Sequence, residues 1–311
     1  MKVRLIAQIF GVLALFAAGA WVDAARSPAR ALGILACTFS VPTVAFGNVD
    51  VLSGGAVSTS TTMTINCSGL SILPTTVYVC IALPARTMTG PSGATLNYDL
   101  YGPPPLNTSW SNTTPIAVPI AGSLLGFSGS KTIAMPATLF ANQQSAPPGS
   151  YSQTLSAIAT YNTGTCTAGI LGNSTAFSFQ ATATVVKSCN VSATNLNFGT
   201  AGFLNAAIAG QSAITVQCSN GTGYSIALNG GLSGATNPTQ RKMTFGANTV
   251  IYGLYQDVNH VNPWGNTIGG NVVNGAGTSL GQSIPVYGLV PVQATPPAGT
   301  YSDTIVVSVA Y

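Results

Sequence analysis

The chain has very little charge. Asp, Glu, Lys and Arg make up 5% of its 311 residues, against about 25% in an average soluble domain. With nine Lys and Arg, five Asp and Glu and a single histidine, it carries no basic stripe that could release phosphate counterions, so nucleic acid is not an expected partner. The same scarcity argues against catalysis. Between Cys37 and Cys189 the only acids are Asp50 and Asp99, too few for paired acid–base work. The one histidine, His260, lies between Asn259 and Asn262 in what reads as a loop. No cysteine spacing resembles a zinc site. The chain therefore reads as a non-enzyme with no cofactor.

Long apolar runs are also scarce. Mean hydropathy is +0.41, yet beyond residue 36 nothing approaches the roughly 18–20 apolar residues of a spanning helix. The hydropathy comes from short Val, Ile, Ala and Leu stretches cut by Gly, Pro, Asn and Ser, the texture of a strand-rich protein. An outer-membrane barrel shares that alternation but fits poorly with the cysteines and the repeat described below. The N-terminus differs. Lys2 and Arg4 precede the apolar stretch Leu5 to Ala20, and Ala18-Gly19-Ala20 has the small residues of a cleavage site. Residues 1–20 read as a secretory signal peptide and 21–36 as a short N-terminal segment. Six cysteines suit export into an oxidising space.

What the sequence has is a repeat. Cys37, Ser40, Phe46 and Gly47 match Cys189, Ser192, Phe198 and Gly199 at an offset of 152. Thr64, Cys67 and Ser68 match Thr215, Cys218 and Ser219 at 151, and Pro147, Gly149, Tyr151 and Thr154 match Pro297, Gly299, Tyr301 and Thr304 at 150. The chain is a tandem duplication, with a first domain over 37–186 and a second over 187–311. Cys189 and Cys218 are the only cysteines of the second copy, so they pair. Cys37 then pairs with Cys67 by equivalence, and Cys80 with Cys166 by remainder. Turn signals about 8–15 residues apart predict two immunoglobulin-like β-sandwiches, an all-β fold.

The copies end differently. The second closes on a period-2 strand with Ile305, Val307, Val309 and Tyr311 on one face. The first passes the equivalent Tyr161 and adds another alternating strand, with Phe177, Phe179, Ala181, Ala183 and Val185 on one face. The first domain is thus expected to complete itself with its own last strand. The second is expected to lack one, leaving an apolar groove and an unpaired edge that must borrow a strand.

The second copy resembles the spore coat protein U domain family, whose members include pilins of archaic, Csu-type chaperone–usher pili. The matching pieces include Asn197-Phe198-Gly199, Arg241-Lys242-Met243, Ile251 to Asp257, Trp264-Gly265, Ile284 to Gly288 and Gly299 to Thr304. The first copy matches only at its two ends. Its middle, about 81–146, reads as divergent, without the Trp-Gly and Tyr-Gly-Leu-Tyr-Gln-Asp pieces. The resemblance implies delivery by a periplasmic chaperone, assembly by an outer-membrane usher, contact with a neighbouring pilin subunit and display on the cell surface. A divergent first domain implies a tip adhesin that attaches to an abiotic or host surface and supports biofilm formation. Arg26, Pro28 and Arg30 spoil any donor strand ahead of Cys37, as suits a tip. A secreted spore-coat-like or shaft structural protein is the alternative. The surface-binding candidates are Tyr101, Leu106 and Trp110 in one Pro-rich loop, with Leu124, Leu125 and Phe127 in another. These would act as exposed apolar tips, unless they belong to the core. Sugar stacking on Tyr101 or Trp110 is a weaker rival.

Overall fold

The computed structural model describes residues 35–69, 76–104, 108–123, 126–162, 166 and 174–311. The signal peptide and most of the 21–36 segment fall outside this range. Among the described residues every regular element is a strand, apart from two short 3-10 turns. The first half carries β1 (Leu35–Ser40), β2 (Val44–Val49), β3 (Val57–Gly69), β4 (Thr76–Ala82), β5 (Thr87–Thr89), β6 (Thr95–Leu100), β7 (Ile116–Ala121), β8 (Phe127–Leu139), β9 (Gly149–Asn162) and β10 (Thr175–Val185). The second carries β11 (Cys189–Ala193), β12 (Ile208–Cys218), β13 (Gly223–Leu228), β14 (Arg241–Phe245), β15 (Asn248–Tyr255), β16 (Val273–Ala276), β17 (Gln282–Val290) and β18 (Val307–Ala310).

Alternation decides what each strand buries. In β3, Met63, Ile65 and Cys67 point inward while Thr62, Thr64 and Asn66 point outward to varying degrees. In β9, Tyr151, Leu155, Ala157, Ala159 and Tyr161 are buried, and Ile158 faces water. Two cores result, one drawing on Leu35 to Val185 and the other on Leu204 to Val290. The first-half strands join one curled ten-stranded sheet, ordered β1-β3-β8-β6-β5-β9-β10-β2, with β4 bonded to β9 and β7. The second half stays split, as a five-stranded sheet β11-β12-β17-β15-β14 and a three-stranded sheet β16-β13-β18. Disulfides link Cys37 to Cys67, Cys80 to Cys166 and Cys189 to Cys218. The first and third lie on directly opposed rungs of β1–β3 and β11–β12. The repeated Gly47 and Gly199 have φ of +69° and +76°, a left-handed backbone that explains glycine in both copies.

The structure corrects the reading of a divergent first-domain middle. Arg86-Thr-Met-Thr89 occupies the place of Arg241-Lys-Met-Thr244, each forming a hairpin with the following strand. Tyr98-Asp-Leu-Tyr101 stands where Tyr252-Gly-Leu-Tyr255 stands. Trp110 and Trp264 are both fully buried. Each takes its main-chain N–H to the matching leucine carbonyl, Leu100 or Leu254, at 2.9 and 2.8 Å. Each indole donates to a strand carbonyl, Ile81 O at 2.6 Å or Ile226 O at 2.9 Å. Gln143 brackets the backbone of Asn97 as Gln293 brackets that of Ile251. The offset drifts between 155 and 150 through loops of unequal length, which hid these matches.

Trp110 and Phe127, put forward as exposed tips, are therefore core residues. Trp110 is held by its indole bond, and Phe127 (1% exposed) packs where Gly122 leaves room; a Cβ there would lie 2.5 Å from its ring. Trp110→Phe and Trp264→Phe should each strand a buried carbonyl and cost about 1–3 kcal/mol. Chemical denaturation of each variant checks this. Equal stability to the parent would mean that neither indole bond matters.

Candidate functional site: a vacant strand position in the second domain

In the first half, β10 fills the space between β9 and β2. It pairs antiparallel with β9 from Thr175↔Ala159 to Val185↔Gly149, and parallel with β2 from Ala181↔Val44 to Val185↔Val49. Phe179, Ala181, Ala183 and Val185 are buried, and Phe177 is half-buried, stacked on Phe39 at 4.2 Å. The side chains around it are closed off: Val44 at 0%, Phe46 at 6%, Leu155, Ala157 and Ala159 at 0% exposure.

The second half has both walls, and among the described residues no strand lies between them. The counterpart of β9 runs from Tyr301 to Tyr311, and the counterpart of β2 is the segment 195–201. β18 pairs with β13 and with no other strand, and β11 pairs only with β12. Between the walls lies a groove of about 580 Å³, lined by Leu196 and Phe198 on one side and by Tyr301, Ile305 and Val307 on the other, with Met243, Tyr252 and Leu254 at its floor. Leu196, Phe198, Tyr301, Ile305, Val307 and Val309 are only partly buried against the second core. Their first-half equivalents are sealed. Tyr311 is 53% exposed, whereas Tyr161 is 1% exposed. The same repeat unit, less one strand, accounts for the difference.

Polar contacts tie together residues of the groove floor and wall. Tyr252 OH donates to Asp303 Oδ2 at 2.6 Å, and Asp303 Oδ1 accepts from Leu232 N–H at 2.8 Å. Burial and then the bond to Asp303 push the Tyr252 phenol up, so it stays a donor. The matching first-half pair is neutral, Tyr98 OH to Gln153 Oε1 at 2.8 Å. Tyr301 OH donates to Pro297 O at 2.8 Å, as Tyr151 OH does to Pro147 O. Beneath the groove the fully buried Arg241 donates to the carbonyls of Asn229, Pro238, Leu228 and Trp264. Burial lowers its pKa, and Tyr252 and Asp303 oppose that shift.

Of the sequence candidates, Ile305 and Val307 line one groove wall, Val309 packs against the second core next to them, and Tyr311 is exposed. Tyr101 is half-buried and bridged to Ser109, while Leu106, Leu124 and Leu125 lie outside the described residues. The sequence reading missed the second wall, Leu196 and Phe198, although Val44 and Phe46 in the aligned copy marked those positions. It also passed over Gly277-Thr-Ser279-Leu-Gly281, a string that in hydrolases presents a nucleophilic serine. Here no helix follows it, and the Ser279 hydroxyl is spent on Gln144 O at 2.5 Å. Among the described residues no group of His, Cys, Asp and Glu could hold a metal ion.

If β10 is the plug of the first domain, Phe179→Ala should cost about 3–5 kcal/mol and expose a groove there too. A rise in binding of a fluorescent apolar dye, with loss of the first domain's melting transition, would show it. An unchanged melt would mean that β10 contributes little.

The chain is 35% identical over 128 residues to Protein U of Myxococcus xanthus, an alignment covering 37% of this chain and 71% of that protein. Among solved structures it is similar to a chain of the CsuC–CsuE chaperone–tip adhesion subunit pre-assembly complex from archaic chaperone–usher Csu pili of Acinetobacter baumannii. There the TM-score is 0.55 at 21% identity, over 88% of this chain and 100% of that one. A weaker likeness, TM-score 0.40 at 12% identity over 88% of this chain and 94% of the other, is to the CupB6 tip adhesin of Pseudomonas aeruginosa. The fold is that of chaperone–usher pilus subunits. The Spore Coat Protein U domain matches residues 26–158 and again 175–308, and the chain belongs to that family as a two-copy member.

Proposed function

We propose that this chain is a tip subunit of a chaperone–usher pilus, exported through the periplasm and displayed at the cell surface. Its second domain takes a donor strand from its neighbour, and its first domain attaches the cell to a surface. The observation that carries this is the pair of copies in one chain, one with its last strand in place and one with that position open. Such a domain has an unpaired edge and partly bared apolar walls. Before assembly a periplasmic chaperone would supply a strand, and in the pilus the neighbouring subunit would. An outer-membrane usher would mediate the exchange. The domain boundary falls at 186–187, after β10.

The tip position follows from the first domain being already complete: it has no vacancy to pass on. Attachment, and with it biofilm formation, is assigned to the pole of the first domain away from the second, where β7 ends at Ala121 and β8 begins at Phe127. With Trp110 and Phe127 in the core, Tyr101, Leu106, Leu124 and Leu125 remain the binding candidates. A coat-type structural role is the second reading, favoured by the family itself. Release of the chain with filaments on shearing supports the pilus; retention in an insoluble coat supports the alternative.

The mature chain should be soluble in a periplasm only when its chaperone is co-produced, as a 1:1 complex. A peptide of residues 174–186 should then displace the chaperone, and Ile305→Asp should abolish that exchange by charging the groove wall. A stable, chaperone-free monomer that ignores the peptide would defeat the strand-acceptor reading.

A further inference from the structure

The first domain shows what an occupied pole looks like. At the end of β10, three side-chain hydrogen bonds cross to the second domain. Ser188 Oγ donates to Asp50 Oδ2 at 3.0 Å, Asn220 Nδ2 to Ser145 O at 2.9 Å, and Ser279 Oγ to Gln144 O at 2.5 Å. Only residues 186–188 separate β10 from β11. The repeat carries this pole onto the second domain. Asp50, Val51 and Leu52 map to Gly202, Phe203 and Leu204 at the offset of 152, and Asn142, Gln144 and Ser145 to Val292, Ala294 and Thr295 at 150.

The second pole has a different character. Val51 turns into the first core at 5% exposure and Asn142 is exposed, whereas Phe203 is 75% exposed and Val292 is 63% exposed. Both stand on segments tied side by side: Gln293 N–H donates to Leu204 O at 3.1 Å, and Leu204 N–H to Thr295 Oγ1 at 2.9 Å. Phe245, 47% exposed, sits at the tip of the β14–β15 hairpin with its edge to Tyr301. A Cβ on Gly299 would meet its ring, so Phe245 flanks the mouth of the groove.

We propose that this pole docks the folded body of the next subunit, apart from the strand that fills the groove. The proposal rests on the strand-acceptor reading. The occupant is a subunit of the same family. A donor strand laid in the groove as β10 lies in the first domain ends at Gly299, so the body that follows it, about three residues later by analogy with 186–188, meets the segments 202–204 and 292–295 that carry Phe203 and Val292. The main-chain carbonyls of Ala294 and Thr295 stand where Gln144 O and Ser145 O receive Ser279 and Asn220. They are open to equivalent Ser and Asn side chains of the partner. The Asp50 contact has no counterpart, since Gly202 lacks a side chain, and apolar area takes its place.

The test places a photo-crosslinking phenylalanine analogue at position 203, at Thr304 on the groove lip, or at Ile158 on the outer face of the first domain, in native pili sheared from cells. Position 203 should give an adduct with one pilus subunit, mapped by mass spectrometry to the stretch after its donor strand or after its second cysteine. Position 158 should give none. Crosslinking at 304 but not at 203 would overturn the docking face and leave the groove intact. Silence at both would overturn the strand-acceptor reading as well. As a second measurement, Phe203→Ser combined with Val292→Ser should speed loss of the chain from sheared pili in denaturant about 10-fold, a change of about 1.4 kcal/mol. An unchanged rate would also overturn the docking face.

Discussion

A β-strand has backbone donors and acceptors on both edges, and a sheet is complete only when each buried edge is met. This requirement organises the whole chain. Where β10 meets it, ten strands join into one curled sheet and the residues around it are sealed. Where no strand meets it, the sheet stays in two pieces with an apolar cleft between them. Both outcomes occur in one sequence built twice from the same plan, so the difference cannot be put down to composition or to the cores themselves. It lies in a single segment of eleven residues.

The two copies also solve one internal problem in two ways. An arginine, part-buried in the first copy and fully buried in the second, closes the end of the β5–β6 or β14–β15 hairpin against the tryptophan carbonyl. In the first copy Arg86 has a carboxylate, Asp99, at 2.5 Å. In the second, glycine replaces that aspartate, and Arg241 relies on four carbonyls instead. A buried cation without a paired anion is tolerable only when its donors are met, and Arg241 meets them. Of the second copy's two acids, Asp257 and Asp303, the latter is placed at the groove, where it fixes Tyr252 and the backbone of Leu232.

Much of this was legible in the sequence, for physical reasons. Strand alternation is a two-residue signal, so the faces of β10 and the C-terminal strand could be assigned directly. The cysteine pairing followed from the duplication. The extra strand ahead of Cys189 was visible as a continuation of the first copy past Tyr161. The middle of the first domain was not legible, because matching there depends on three-dimensional partners: Tyr98-Asp-Leu-Tyr101 is recognisable beside Tyr252-Gly-Leu-Tyr255 only once the loops that shift the offset are set aside. Trp110 and Phe127 were misplaced for a related reason. Neighbouring Gly, Pro and Ser make a stretch look like a surface loop, yet a tryptophan whose indole reaches a strand carbonyl is a core residue whatever flanks it. The second groove wall was missed because Asn195 to Gly199 forms no strand; its role comes from what it faces.

The direction of β10 matters for how load would travel. It runs from the outer pole of the first domain to the junction, and the chain leaves it through residues 186–188 into β11. Tension between the two domains therefore pulls along the axis of β10, with its rungs to β9 and β2 lying across the pull. Such rungs resist together in shear instead of parting one after another as in a peeled hairpin. The strand that completes the first domain is also the member through which force between the two domains would enter it.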